Sequence, residues 1–221
     1  MKRMPLVLAT LAILSIFLIS PVAAANNQGL SWAIASGDVF NYTFAGEIPN
    51  EAPLSESIIL RITNNPTEPP DDITNMAQIP TVTGQWRFAN DTDASSYIYG
   101  IDFFAVPIGN YSLLSTLVED EALPGYEEIN DVAFWGYKAR TAFFDPEIQL
   151  RLEIKYQKSD GILSLADINF YNTTSSSSVA GITLTRQGGD ILSLIMDNIL
   201  YVGIGVGVII ILGAVVCIRR K

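Results

Sequence analysis

Most hydrolytic and group-transfer chemistry begins with a histidine or a reactive thiol, and this sequence offers almost neither. None of its 221 residues is a histidine. That removes Ser-His-Asp and Cys-His catalysis, histidine-ligated zinc and imidazole acid–base work together. The one cysteine, Cys217, sits within an apolar run near the C-terminus. It reads as apolar filler or as an acylation site beside basic residues. No disulfide framework or thiolate metal site can be drawn from it. Carboxylates are what remain. Asp71-Asp72, Glu119-Asp120-Glu121 and Glu127-Glu128 are the acidic clusters. A pair of such acids hydrolyses a glycoside when held across a sugar at the proper separation, but adjacent acids on loops are usually just solvated. Asp91, Asp93 and Ser95, with Asp102 beyond, have the spacing of oxygen ligands for calcium. The sixth loop position, where a calcium loop needs glycine, holds Ser96. No phosphate loop, dinucleotide fingerprint or nucleophile elbow is present. The sequence therefore assigns no catalytic residue, no metal site and no cofactor, and reads as a non-enzyme.

The sites it does offer are for modification and recognition. Asn41-Tyr-Thr, Asn90-Asp-Thr, Asn110-Tyr-Ser and Asn172-Thr-Thr are glycosylation sequons, while proline blocks the one at Asn65. Trp32, Trp86 and Trp135 suit a sugar or lipid groove and equally a core, with core the default. All 23 carboxylates lie between Asp38 and Asp197, against eight basic residues in the same range. An acidic balance of that size disfavours nucleic acid as a partner.

These residues must be placed by strands, because the apolar pattern is mostly of period two. One strand opens at Gly37-Asp38 and points Phe40, Tyr42 and Phe44 to one side. Others hold Ile58, Leu60 and Ile62, then Trp86 and Phe88. Tyr97 to Val106 is apolar on both faces and predicts a central strand. Asn130 to Phe144 predicts a long strand interrupted near Gly136. Ile148 to Tyr156 alternates most cleanly and runs into the turn Lys158-Ser159-Asp160-Gly161, followed by a return strand to Tyr171. A last strand holds Ile182 and Leu184. Ser112 to Glu121 has helical spacing, 64–72 is a proline-rich loop and Thr173 to Ser178 a hairpin tip. The predicted fold is β-rich α+β, a curved antiparallel sheet or half-barrel with one or two short helices, and a sandwich is second.

The chain ends give the topology. Met1-Lys2-Arg3, an apolar run from Leu6 to Ile19 and the small residues to Ala25 form a secretory signal over 1–25. The outer domain is 26–190 and a stalk 191–198. Ile199 to Ile218 has no charge and the length of one bilayer core, so 199–218 reads as a transmembrane helix. Arg219, Arg220 and Lys221 form the tail at 219–221 and set the domain outside by the positive-inside rule. Gly203 and Gly207, four apart, permit close helix packing within the membrane.

Trp32-Ala-Ile-Ala-Ser-Gly37-Asp38-Val-Phe40-Asn-Tyr42 resembles an opening of the form Trp-x-Val-x-x-Gly-Asp-x-Phe-x-Tyr. Ile154-Lys-Tyr156-Gln-Lys-Ser-Asp160-Gly161-Ile162-Leu163 is similar to a Tyr-Asp-x-x-Thr-Gly-Ile-Leu hairpin, with Gln157 for the aspartate and Asp160 for the threonine. Together, ahead of a terminal anchor, they resemble the archaeal surface proteins called the choice-of-anchor S family. The resemblance implies a secreted, anchored β-rich domain without an assigned activity. The hairpin also resembles lipoprotein-carrier folds, where a curved sheet encloses an apolar ligand. The expected function is a non-enzymatic, single-pass surface module of the cell membrane, with the bilayer and an extracellular protein, glycan or lipid as partners. Binding of a lipid or other apolar ligand in a β-sheet cavity is the alternative, and a carboxylate hydrolase the second.

Overall fold

The computed structural model describes residues 25–47, 52–98, 101, 103–121, 124–142 and 147–188. The signal, stalk, membrane-helix and tail readings fall outside these residues, except for Ala25. Gly203, Gly207, Cys217 and the three basic tail residues are therefore also outside. Among the described residues no helix is long and apolar enough to cross a membrane.

In chain order the strands are β1 (Leu30–Ser31), β2 (Val39–Glu47), β3 (Leu54–Ile62), β4 (Gly84–Phe88) and β5 (Ile108–Gly109). After the helix α1 (Tyr111–Glu121) come β6 (Glu127–Asn130), β7 (Phe134–Ala142), β8 (Ile148–Gln157), β9 (Leu163–Asn172) and β10 (Ser177–Arg186). Eight of them form one open antiparallel sheet in the order β4-β3-β2-β10-β9-β8-β7-β6, and β1 pairs with β5 apart from it. The class is β-rich α+β. Sequential hairpins build both halves, and β10 closes the sheet by pairing with β2, Leu184 opposite Phe44.

Alternation decides which face is covered. Tyr42, Phe44, Ile58, Leu60, Trp86, Trp135, Ile154, Tyr156, Ala166 and Leu184 all turn to one face and are buried there. The outer face carries Asn41, Thr43, Arg61, Lys138, Arg140, Arg151 and Lys155, as half-solvated antiparallel strands require. Over the inner face lie α1, with Leu114, Leu117 and Val118 buried at helical spacing, and the segment through Ile98, Ile101, Phe104, Ala105 and Val106.

That segment corrects the sequence reading. The described residues of 97–106 do not form a central strand. Ser95–Tyr97 is a short 3-10 turn, and beyond it a single bridge, Ala105 to Ile162, is the only strand-like pairing among the described residues there. Phe104 accepts a hydrogen bond from the amide of Leu163 at 2.9 Å, and Val106 donates to Gly161 at 2.8 Å. Ile98, Ile101, Phe104, Ala105 and Val106 are buried while Tyr97 and Phe103 are exposed, so the apolar run does not reflect two sheet faces. The expected interruption at Gly136 is also displaced. β7 runs through Gly136, and the break falls at Asp131, whose carboxylate accepts from the amides of Ala133 and Phe134 at 2.8 and 2.7 Å.

The β8–β9 turn follows its predicted chemistry. Gly161 has φ of 72°, and a Cβ there would stand 2.0 Å from the Val106 carbonyl oxygen, so both conformation and space demand glycine. Asp160 in the same turn receives Arg186 from the end of β10 at 2.8 Å, with the two side chains only 22% and 12% exposed. The guanidinium also lies over the Phe40 ring, 4.7 Å from its centre. The turn, β10 and the start of β2 are thereby clasped together.

Candidate functional site

Between the inner face of β7 and β8 and the elements above it is a cavity of about 240 Å³. Its floor is made by residues that strand alternation sends inward: Trp135, Tyr137 and Ala139 from β7, and Leu152 and Tyr156 from β8. Its roof is supplied by Met76 and Ala77 of a 3-10 turn, Phe103 and Val106 of the covering segment, and Val118 of α1. Tyr126, just before β6, closes one wall. Among the described residues no charged side chain lines it. Phe103 is 51% exposed, so the roof opens to solvent on that side.

The deep end is held rigidly. Trp135 is buried and stacks on Tyr156 with ring centres 5.7 Å apart. Its indole donates to the Ser115 hydroxyl at 2.9 Å. Tyr156 donates to the Phe103 carbonyl at 2.7 Å, which ties the floor to the roof. Ser115 in turn reaches the Tyr111 carbonyl at 2.9 Å and the Glu128 carboxylate. Asn110 caps α1 through the amide of Leu113 at 3.1 Å, so the helix start that the sequence placed at Ser112 is set one step earlier.

The wall at Tyr126 is different. Its ring stacks on Tyr137, centres 6.2 Å apart. Its hydroxyl oxygen is covered and makes no hydrogen bond of proper geometry. Burial raises the proton affinity of this phenol, and the charges of Glu128 and Glu119 add to that. Ser115 lies near enough to offset a little of the rise. An apolar cavity of this kind can take up a hydrocarbon surface.

The residues singled out from sequence fall elsewhere, apart from one tryptophan. Trp32 and Trp86 are core, and Trp135 is both core and cavity floor. Asp93 accepts from the amide and hydroxyl of Ser95 at 3.2 and 2.7 Å, and those hydrogen bonds lower its carboxyl from the ordinary range. Asp91 pairs with Arg87 at 3.3 Å. Among the described residues no group of three metal-binding side chains converges. Asn41 stands exposed on the outer face of β2 and Asn90 in an exposed turn. Asn172 uses its side-chain oxygen to hold the β9–β10 turn through Thr174 and Ser175 at 2.9 and 2.8 Å. Asn110 is half-buried, and its amide nitrogen donates to the Gln28 carbonyl at 2.8 Å. The cavity itself carries no sequence motif. Its lining comes from separate stretches between Met76 and Tyr156, and each residue alone reads as core.

Comparison with protein-family models, characterised proteins and solved structures finds no match to this chain.

Proposed function

We propose that this chain is a non-enzymatic cell-surface protein whose β-rich outer domain binds an apolar ligand in the cavity between β7, β8 and α1. The uncharged cavity of about 240 Å³ is the observation that carries this reading. An apolar cavity of about 150 Å³ is enough to bind benzene, so on that scale this one takes roughly ten heavy atoms. Ligand sites are typically concave, aromatic-lined and sparing in polar groups. The hydrolase alternative needs carboxylates facing a substrate, and among the described residues none lines this cavity. The curved or half-barrel description belongs to the same proposal, as does the resemblance to the choice-of-anchor S family. Export by the 1–25 signal, anchoring by 199–218 and an outside orientation set by Arg219, Arg220 and Lys221 complete it.

Filling the cavity tests the reading. Ala139 is buried in the floor, and Ala139→Phe places a ring in the space. With 2-naphthol as a small neutral fluorescent probe, the full chain is expected to bind and Ala139→Phe to bind at least tenfold more weakly. Leu152→Trp fills the same space from β8 and serves if the first variant does not fold. Unchanged binding in a folded filled variant would sink the proposal.

The surface part of the proposal makes a separate prediction. In exported protein, glycopeptide mapping is expected to find glycan at the exposed Asn41 or Asn90 and none at Asn110, whose amide nitrogen is engaged with Gln28. A glycan on Asn110 would show that this amide is free, contrary to its placement.

A further inference from the structure

The turn that follows β4 sets a sequon beside aromatic rings. The Phe88 amide donates to the Thr92 carbonyl at 2.9 Å, and the Asp91 amide to the Phe88 carbonyl at 2.9 Å. Asp91 has φ of 66°. Ala89-Asn90-Asp91 is thus a three-residue loop ending in a left-handed residue, and Arg87 braces it by donating to the Asp91 carbonyl at 2.9 Å. Thr92 directs both its amide and its hydroxyl to the Asn90 side-chain oxygen, at 3.1 and 2.6 Å. That fixes the side-chain amide by its oxygen arm. The nitrogen arm, the one that carries an N-linked sugar, is thereby positioned by the turn.

Asn90 and Thr92 line an open groove of about 380 Å³, together with Phe88, Tyr97, Leu54 and Glu56. Small-ligand clefts run roughly from 300 to 1,000 Å³. The rings are braced before anything binds. Tyr97 stands edge-on to Phe88, centres 5.1 Å apart, and to Phe44 at 6.1 Å. Tyr97 is still 48% exposed, so aromatic surface remains to be covered. A pyranose has a face of C–H bonds and a rim of hydroxyls. Aromatic carbon with a carboxylate beside it suits both.

We infer that Asn90 carries an N-linked glycan whose first sugar folds back into this groove, its C–H face on Phe88 and Tyr97 and its hydroxyls within reach of Glu56. The tether makes the encounter intramolecular, so contacts too weak to hold a free sugar suffice. This inference rests on the surface reading and extends it. Exposure alone treats Asn41 and Asn90 alike, whereas the groove gives the Asn90 glycan a structural task.

Thermal melting of the full chain in amphipol tests it. Asn41→Gln, Ser112→Ala and Thr174→Ala remove the other sequons and leave Asn90 alone. This parent is compared as exported from a glycosylating host and as made in a host without glycosylation, with occupancy read by mass spectrometry. The glycan is expected to raise Tm by about 2–4 °C. Tyr97→Ala and Phe88→Leu are each expected to cut that difference by at least half. No difference in the parent, or an undiminished one in both variants, overturns the seat. A chain keeping Asn41 as its one sequon is the control, and an equal rise there overturns the seat as well. Glycan found at other sequons of the unaltered chain but never at Asn90 overturns the assignment to Asn90 alone. Failure of the surface reading looks different, because the unaltered exported chain would then carry no glycan at any sequon.

Discussion

Gly136→Ala is expected to lower the stability of the β domain by about 3 kcal/mol or more, and Gly136→Val to prevent its folding. A Cβ at this position would stand 2.0 Å from the carbonyl oxygen of Ile154 and 2.9 Å from the Cα of Lys155. Both obstacles are backbone of the neighbouring strand β8, so no side chain can rotate aside to make room. The β7–β8 ladder would have to part at Gly136 and Lys155, which are direct partners. The strand flanks are Trp135 and Tyr137, both in the cavity floor, so the same displacement would move the proposed site. At the usual scaling of about 2–4 °C per kcal/mol for a chain of this size, the alanine variant melts roughly 10 °C lower. Gly46→Ala is the control. Gly46 also lies within a strand, but a Cβ there meets only side-chain carbons at 3.5 Å or more, which is ordinary contact. Thermal melts followed by circular dichroism decide the matter. Equal melting shifts for the two alanine variants would mean that β7 and β8 are not packed this closely.

How much of this was legible in the sequence depended on how local the cause was. β8 was readable because Ile148 to Tyr156 alternates without exception between apolar and polar residues, and the apolar face becomes buried at Ile154 and Tyr156. Asp160-Gly161 was readable because a positive φ leaves few alternatives to glycine. β1 and β5 were not, since two residues are too short to show a period. Residues 97–106 misled because an unbroken apolar run reads as a central strand, whereas here Tyr97 and Phe103 are exposed and the buried residues follow no strand period. Asn110 shows a different limit. The same residue satisfies a glycosylation motif and a helix cap, and only the Gln28 and Leu113 contacts tell which use the fold makes of it. The cavity was wholly hidden. Its volume is a deficit of packing among residues that, one by one, have the composition of a core.

Above about pH 10 the β domain is expected to lose stability steeply, and at about 3 kcal/mol per pH unit an ordinary domain stability of about 5–15 kcal/mol is exhausted over roughly two units or more. Tyr42 and Tyr156 are buried, and burial pushes both phenols well above the ordinary value near 10. Each donates its proton to a carbonyl, Tyr42 to Leu163 and Tyr156 to Phe103, both at 2.7 Å. A phenolate has no proton to give and would face that carbonyl with like charge. Tyr111, whose hydroxyl donates to the Lys158 carbonyl at 2.8 Å, is raised for the same first reason. The sign follows from proton binding. Above pH 10 the unfolded chain releases these protons while the folded chain keeps them, so rising pH favours the unfolded state. Below pH 10 both states hold the protons and the contribution is intact. For Tyr42 and Tyr156 together the loss is about 3 kcal/mol per pH unit, at roughly 1.4 kcal/mol for each group. A titration that records tyrosinate absorbance and circular dichroism together should show the buried phenols ionising only as the strands are lost. In Tyr42→Phe the slope should fall by about one proton, while stability at neutral pH drops by about 1 kcal/mol for the lost bond to Leu163. Ionisation of every tyrosine near pH 10 with the circular dichroism unchanged would mean that these rings are not buried, and neither the core nor the cavity floor could then be placed where Tyr42 and Tyr156 now hold them.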